Sequence, residues 1–292
     1  MTLTCSGQII TSYGRRYIVE TPDGTLYDCT TRGKKTDYAC GDGVDILVQN
    51  AEQAVIERAQ PRRSLLYRSD SFRSKLIAAN VTQLAIVLAP VPTFNDELLN
   101  RCLVAAESAA IAPLIVLNKC DLPQADAARE RLAGWLGLGY PLLTLSAQED
   151  VSALRAHLQG HTSVLVGQSG MGKSTITNAL LPAARARVGE ISTALDSGRH
   201  TTTHAQLYHL DADSHLIDSP GLQEFGLRHL PADELIYHFP DLRPYIGQCR
   251  FHNCSHRVEP GCALIQAGQT GAVRPERLAF FQKLTSELST RG

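Results

Sequence analysis

Gly167-Gln168-Ser169-Gly170-Met171-Gly172-Lys173-Ser174 decides how this chain is read. It matches G-x-x-x-x-G-K-[ST], a loop whose backbone N–H groups close around a phosphate. The context supports the match. Val164-Leu165-Val166 before it reads as a buried strand, and residues 176–181 behind it carry apolar side chains at helical spacing. Glycines 167, 170 and 172 let the backbone approach a β-phosphate at a helix N-terminus, with Lys173 adding positive charge. Ser174 is a candidate Mg²⁺ ligand, and Thr175 continues the loop into the helix.

The other nucleotide-site elements fall in an unusual order. Asn118-Lys119-Cys120-Asp121 and Ser146-Ala147 come before the phosphate loop, and Asp218-Ser219-Pro220-Gly221 comes after it. The Asp121 carboxylate can accept from the N1–H and exocyclic amine of guanine, a pair that adenine does not present. Lys119 can line the base pocket with its alkyl stem. With Thr201, Thr202 and Thr203 between the phosphate loop and Asp218, these five elements resemble a GTPase core whose order has been cyclically shifted, a circularly permuted P-loop GTPase using GTP/GDP and Mg²⁺. Asp218 ends an apolar strand, where a carboxylate can hold the Mg²⁺ hydration shell, and the Gly221 amide can reach the γ-phosphate. Of Thr201, Thr202 and Thr203, one must complete the Mg²⁺ shell; Thr202 is taken, and the sequence does not separate it from its neighbours. Leu222 stands where related enzymes place a water-orienting glutamine, so slow intrinsic hydrolysis is expected. Lys173, Asp218 and Gly221 are the candidate catalytic groups, and His200 is the candidate substitute for the missing glutamine.

The chain divides into three parts. Residues 1–65 hold five short apolar stretches separated by turn signals, among them Pro22-Asp23-Gly24, which suits a small barrel. An OB-fold is expected, with an SH3-like barrel as the other solution. Residues 66–227 alternate buried strands with helices, the pattern of a parallel sheet covered on both faces. Candidate strands are 84–89, 114–117, 142–145, 164–166, 205–210 and 215–217, and a further helix is expected over 96–110. Residues 228–292 are proline-rich, with little room for an apolar core, until an amphipathic helix over 275–288 carrying Leu278, Phe281, Leu284 and Leu288.

Cys249, Cys254, His256 and Cys262 give the spacing C-x4-C-x-H-x5-C. Three thiolates and one imidazole make a closed tetrahedral set, hence a structural Zn²⁺ site, with His252 an alternative to His256. The other five of the eight cysteines are scattered, as expected of reduced thiols in a cytoplasmic protein. Arg250 and Arg257 flank the cluster and suit RNA backbone contacts.

Hydrophobic residues make up 43% and charged residues 20% of the 292 positions, which favours neither disorder nor a membrane protein. No apolar run approaches the roughly 18 residues that span a bilayer. Net charge is −1, but the ends are basic and the middle acidic. Arg62, Arg63, Arg68, Arg73 and Lys75 cluster near the first boundary as a candidate phosphate-contacting patch.

A small N-terminal barrel, a permuted GTPase and a Cys3His element together resemble the RsgA family of ribosome small-subunit-dependent GTPases. Leu76-Ile77-Ala78-Ala79-Asn80-Val81, Gly198-Arg199-His200-Thr201-Thr202-Thr203 and Cys254-x-His256-x-x-Glu259-Pro260-Gly261-Cys262 look like that family's motifs. The resemblance implies a cytoplasmic monomer that docks on the small (30S) ribosomal subunit late in assembly. It also implies contact with 16S rRNA, faster GTP hydrolysis on docking, and release afterwards. Two other readings are a permuted GTPase of large-subunit assembly and an RNA-binding protein with vestigial hydrolysis. Because Asp218-Ser219-Pro220-Gly221 is the last core element, movement of that switch is expected to pull on residues 228–292.

Overall fold

The computed structural model describes residues 3–33, 37–69, 74–181, 205–219 and 227–289. Five strands, β1 (Leu3–Tyr13), β2 (Arg16–Glu20), β3 (Leu26–Thr31), β4 (Gly43–Val48) and β5 (Gln53–Ala59), pair in the order β1-β2-β3-β5-β4 and close through β4 on β1. The β3–β5 pair is parallel and the others antiparallel, a five-stranded barrel of the OB type. Alternation of side chains along these strands fills its interior with Ile9, Tyr17, Val19, Cys29, Val44, Ile46, Ala54 and Ile56.

A hairpin of β6 (Leu65–Ser69) and β7 (Ser74–Ala79) leads to the central domain. There β8 (Gln83–Leu88), β9 (Ala112–Leu117), β10 (Leu142–Thr144), β11 (Thr162–Val166) and β13 (His215–Asp218) form a parallel sheet in the order β10-β9-β8-β11-β13. All six residues of β8 are buried, as a strand covered on both faces requires. The antiparallel strand β12 (Gln206–His209) lies between β13 and β1, pairing with β13 and, at Gln206↔Thr11, with β1. Barrel and central sheet are therefore one continuous hydrogen-bonded surface.

Helices α1 (Asp96–Ser108), α2 (Ala125–Leu136), α3 (Ser152–Leu158) and α4 (Lys173–Leu180) accompany the parallel strands. Asn95 caps α1, its side chain accepting from the Glu97 and Leu98 amides at 2.8 and 3.3 Å. The C-terminal part runs through two 3-10 turns, Leu235–His238 and Arg243–Tyr245, to α5 (Ala263–Thr270) and α6 (Pro275–Ser289).

Prolines made residues 228–292 look poor in core. Instead Leu235, Phe239, Leu242, Leu264, Phe280, Phe281 and Leu284 are buried in the same cluster as the central sheet. Leu235 in the first 3-10 turn, and Phe239 and Leu242 between the two turns, still face inward. Alpha-helix α6 packs on α1 as well as on the metal-type cluster, and the residue that leads that packing, Arg277, is charged and invisible to an apolar-period search. Among the described residues no helix is long and apolar enough to cross a membrane.

Candidate nucleotide and metal sites

The phosphate loop leaves β11, Asn118-Lys119-Cys120-Asp121 leaves β9, and Ser146-Ala147 follows β10. All three therefore meet at the carboxyl edge of the parallel sheet, where binding crevices form. Asn118 sits between them, 2% exposed. Its amide donates to the Met171 carbonyl at 2.9 Å, and its side-chain oxygen accepts from the Ala147 amide at 3.0 Å. One side chain thus ties the phosphate loop to both base-side loops.

Beside it lies a pocket of about 290 Å³ lined by Asn118, Lys119, Asp121, Leu122, Ser146, Ala147, Gln148, Gly172 and Thr175. Gly172 has φ +93, and a Cβ there would stand 2.2 Å from the Asn118 side-chain nitrogen. Only glycine fits, because the left-handed backbone and the approach of Asn118 both exclude a side chain.

Lys173 lies over the loop, donating to the Gly167 and Gln168 carbonyls at 2.5 and 2.7 Å. Burial pushes its pKa below the ordinary lysine value, while Asp218 at the end of β13 pulls the other way. Ser169, Ser174 and Thr175 are exposed on the open side of the loop, and Gly170 is exposed beside them. Lys119 adopts φ +60 and donates from Nζ to the Val91 carbonyl at 2.7 Å. The Cys120 thiol instead turns back, donating to the Leu117 carbonyl at 3.1 Å. Thr202, Gly221 and His200 lie outside the described residues, as do Thr201, Thr203 and Leu222.

Leu122, Gln148 and Asn95 were not singled out from the sequence. The first two directly follow recognised motifs, and Asn95 before Asp96-Glu97 has the pattern of a helix cap. The Asn95 amide donates to the Gln168 side-chain oxygen at 2.9 Å, so the start of α1 touches the phosphate loop.

At the other end of the molecule, ligand atoms of Cys249, Cys254, His256 and Cys262 all lie within 4.8 Å of one another. Cys249 Sγ is 3.8 Å from Cys262 Sγ, and His256 Nδ1 is 3.5 and 3.4 Å from those two sulfurs. Tetrahedral bonds of about 2.3 Å to sulfur and about 2.05 Å to nitrogen give edges of about 3.8 and 3.5 Å. The set therefore has the size of a Zn²⁺ shell. His256 is in it and His252, exposed, is not. Ala263 N–H donates to Cys249 Sγ at 3.4 Å, a contact that favours thiolate. Glu259 closes the loop by accepting from the Ser255, Arg257 and Val258 amides, and hydrogen bonds from the Ser255 hydroxyl and the Ser255 and Arg257 amides hold its pKa well below the usual carboxylate range.

The candidate basic patch is thinner than its composition. Arg62 is turned inward onto Asp42, with two contacts of 2.7 Å, and Asp42 is fully buried. Arg63 is exposed; Arg73 and the side chains of Arg68 and Lys75 lie outside what is described.

Comparison with known proteins agrees with this geometry. The profile of a family described as RsgA GTPase matches residues 59–228. A Neisseria meningitidis protein named small ribosomal subunit biogenesis GTPase RsgA is 60% identical over 287 residues, covering 98% of this chain and 94% of its own. A Nitrosospira multiformis protein of the same name is 53% identical over 285 residues, covering 97% and 91%. Among solved structures, YjeQ from Thermotoga maritima matches with a TM-score of 0.75 at 27% identity, covering 99% of this chain and all of its own. YloQ, described as a circularly permuted GTPase, matches with a TM-score of 0.73 at 27% identity, covering 99% and 96%.

Proposed function

The chain belongs to the RsgA GTPase family, and from that premise we propose that it hydrolyses GTP to GDP and phosphate while docked on the small (30S) ribosomal subunit, late in that subunit's assembly. The observation that carries this reading is Asn118, which holds the phosphate loop and Ser146-Ala147 around one pocket rimmed by Asp121.

Guanine enters that pocket. The Asp121 carboxylate accepts from N1–H and the exocyclic amine, while Ser146-Ala147 closes over the ring. Phosphates lie along the loop 167–174 at the N-terminus of α4, where backbone N–H groups and the helix dipole favour anions. Lys173 exchanges its two loop carbonyls for phosphate oxygens, and the anion restores the charged form that burial disfavours. Ser174 and Thr202 are the residues that would hold Mg²⁺, with Asp218 at its water shell. Bound there, Mg²⁺ would supply neutralisation of the phosphate charge. Gly221 contributes an amide to the γ-phosphate, and His200 orients the attacking water.

Cys249, Cys254, His256 and Cys262 hold a structural Zn²⁺, since four protein ligands leave no open position. The barrel, residues 1–65, and the zinc element, residues 228–292, flank the GTPase, residues 66–227, and both contact 16S rRNA. The free protein is a cytoplasmic monomer. The deciding experiment is GTP turnover of the purified protein with and without small subunits. Stimulation by small subunits and none by large subunits is expected; equal rates in all three conditions would refute the reading.

A further inference from the structure

Arg277 is 1% exposed although it carries a charge, and it makes contacts with three separate segments. Its guanidinium pairs with both oxygens of Asp241 at 2.8 and 3.1 Å and donates to the Asn100 side-chain oxygen on α1 at 2.6 Å. It also lies over the rings of Phe239 and, on α2, Trp135, at 4.5 and 5.2 Å from their centres. Arg274, one turn earlier, reaches the same helix. A Cβ at Gly134 would stand 2.2 Å from its guanidinium. Glycine inside a helix costs about 1 kcal/mol, so α2 gives up stability for this approach.

Burial of an ion pair adds little to stability compared with apolar residues of the same shape. Its consequence is register. Two more pairs run along the same face of α1: Lys283 with Glu97 at 2.7 Å, and Arg101 with Glu287 at 2.7 Å. Residues 97, 100 and 101 are neighbours on one helical face, so all three contacts fix α6 against α1. At its far side α6 holds the Cys3His loop, through Gln282 to the His256 carbonyl and Arg257 to Ser286. At its own N-terminus α1 meets the phosphate loop, through the Asn95 amide and the Gln168 side chain.

We propose that Arg277 is a positioning residue which transmits docking of the Cys3His element, through α6 and α1, to the phosphate loop. The inference rests on the reading that the small subunit stimulates hydrolysis. This path is distinct from a pull through the chain that follows Asp218, because it needs no continuous backbone between the two sites. The coupling is carried by a contiguous network of packed side chains and ion pairs that moves as a unit with α6.

The test is a steady-state assay over a titration of small subunits, with Arg277→Met combined with Asp241→Leu so that no charge is left buried alone. Expected are basal turnover within about twofold of wild type, unchanged zinc content, a subunit KM within about threefold, and a stimulated kcat at least about tenfold lower. An unchanged stimulated kcat overturns the proposal. A loss confined to KM also overturns it, since that would make the cluster a docking support only. Should the double variant lack a cooperative melt, Glu97→Gln with Lys283→Met, which alters a more exposed part of the path, takes the same decision. Absence of stimulation in the wild type would refute the underlying functional reading, and it is visible before any variant is compared.

Discussion

The side-chain amide of Asn118 donates to the main-chain carbonyl of Met171 at 2.9 Å, joining the base-side loop to the phosphate loop across 53 positions. Both partners are buried, so the bond has no water to replace it. Asn118→Ala removes this bond and the one from Ala147. Losing buried hydrogen bonds costs about 1–3 kcal/mol, which predicts about 5- to 150-fold weaker GDP binding. Calorimetry on the isolated protein measures it, and unchanged affinity would remove Asn118 from the site.

Gly172→Ala acts on the same contact from the other side. A left-handed alanine costs roughly 1–2 kcal/mol, and the new Cβ displaces the Asn118 amide. Nucleotide binding is expected to weaken at least about tenfold, and the melting temperature to fall by several degrees as the strain is borne by the folded state. Wild-type affinity in this variant would show that the loop opens away from Asn118 when nucleotide binds.

Lys173→Met should separate stability from function. Burial lowers the Lys173 pKa in the folded state, so folding opposes its charge. The unfolded chain, with the ordinary value of 10.5, then binds more protons, and folded stability rises with pH across the interval between the two values. The penalty is present in full below the lowered folded value and disappears as pH climbs through it towards 10.5. In the absence of nucleotide the variant should therefore melt higher than wild type at neutral pH, with the gap narrowing in alkali, while losing GTP binding. A gap that widens with pH contradicts the burial argument.

The Cys3His cluster should carry one zinc per chain by elemental analysis, and Cys262→Ser should abolish it. Chelation should expose Cys249, Cys254 and Cys262 to a thiol reagent that spares fully buried Cys40 and Cys102. Nucleotide affinity of the isolated protein should change little, because without a docked subunit the cluster, which touches none of the pocket residues, has no docking event to transmit. A zinc-free wild-type protein with ordinary stability would refute the assignment.

Arg62→Ala leaves the Asp42 carboxylate fully buried with no cation beside it. Breaking such a pair costs about 3–5 kcal/mol, so the barrel should lose that much in denaturant unfolding. The same geometry predicts that Arg63→Ala weakens RNA binding more than it affects stability, since Arg63 is exposed. Equal effects of the two changes on stability would show that Arg62 is not a structural arginine.

Much of the architecture was legible in sequence because it rests on short-range rules. Alternation gave the five barrel strands, buried runs gave the parallel strands, and helical spacing gave α1, α4 and α6. Helices α2, α3 and α5 and the hairpin of β6 and β7 were missed. Gly134 interrupts the first helix for a reason that lies elsewhere in the chain, the second has only seven residues, and the hairpin strands carry apolar and polar residues in blocks instead of alternating.

By itself the sequence determined which chemistry is present: a loop of glycines and one lysine for phosphate, an asparagine and aspartate for a base, three thiols and an imidazole for a metal. Those assignments depend on residue type and local spacing, and a chain states both directly. Only the tertiary structure decided which atoms meet. It chose His256 over His252, turned Arg62 inward, and buried Arg277 between two helices. Each of these is settled by the free energy of desolvating a polar group beside a partner remote in sequence, a quantity fixed only when the elements have packed.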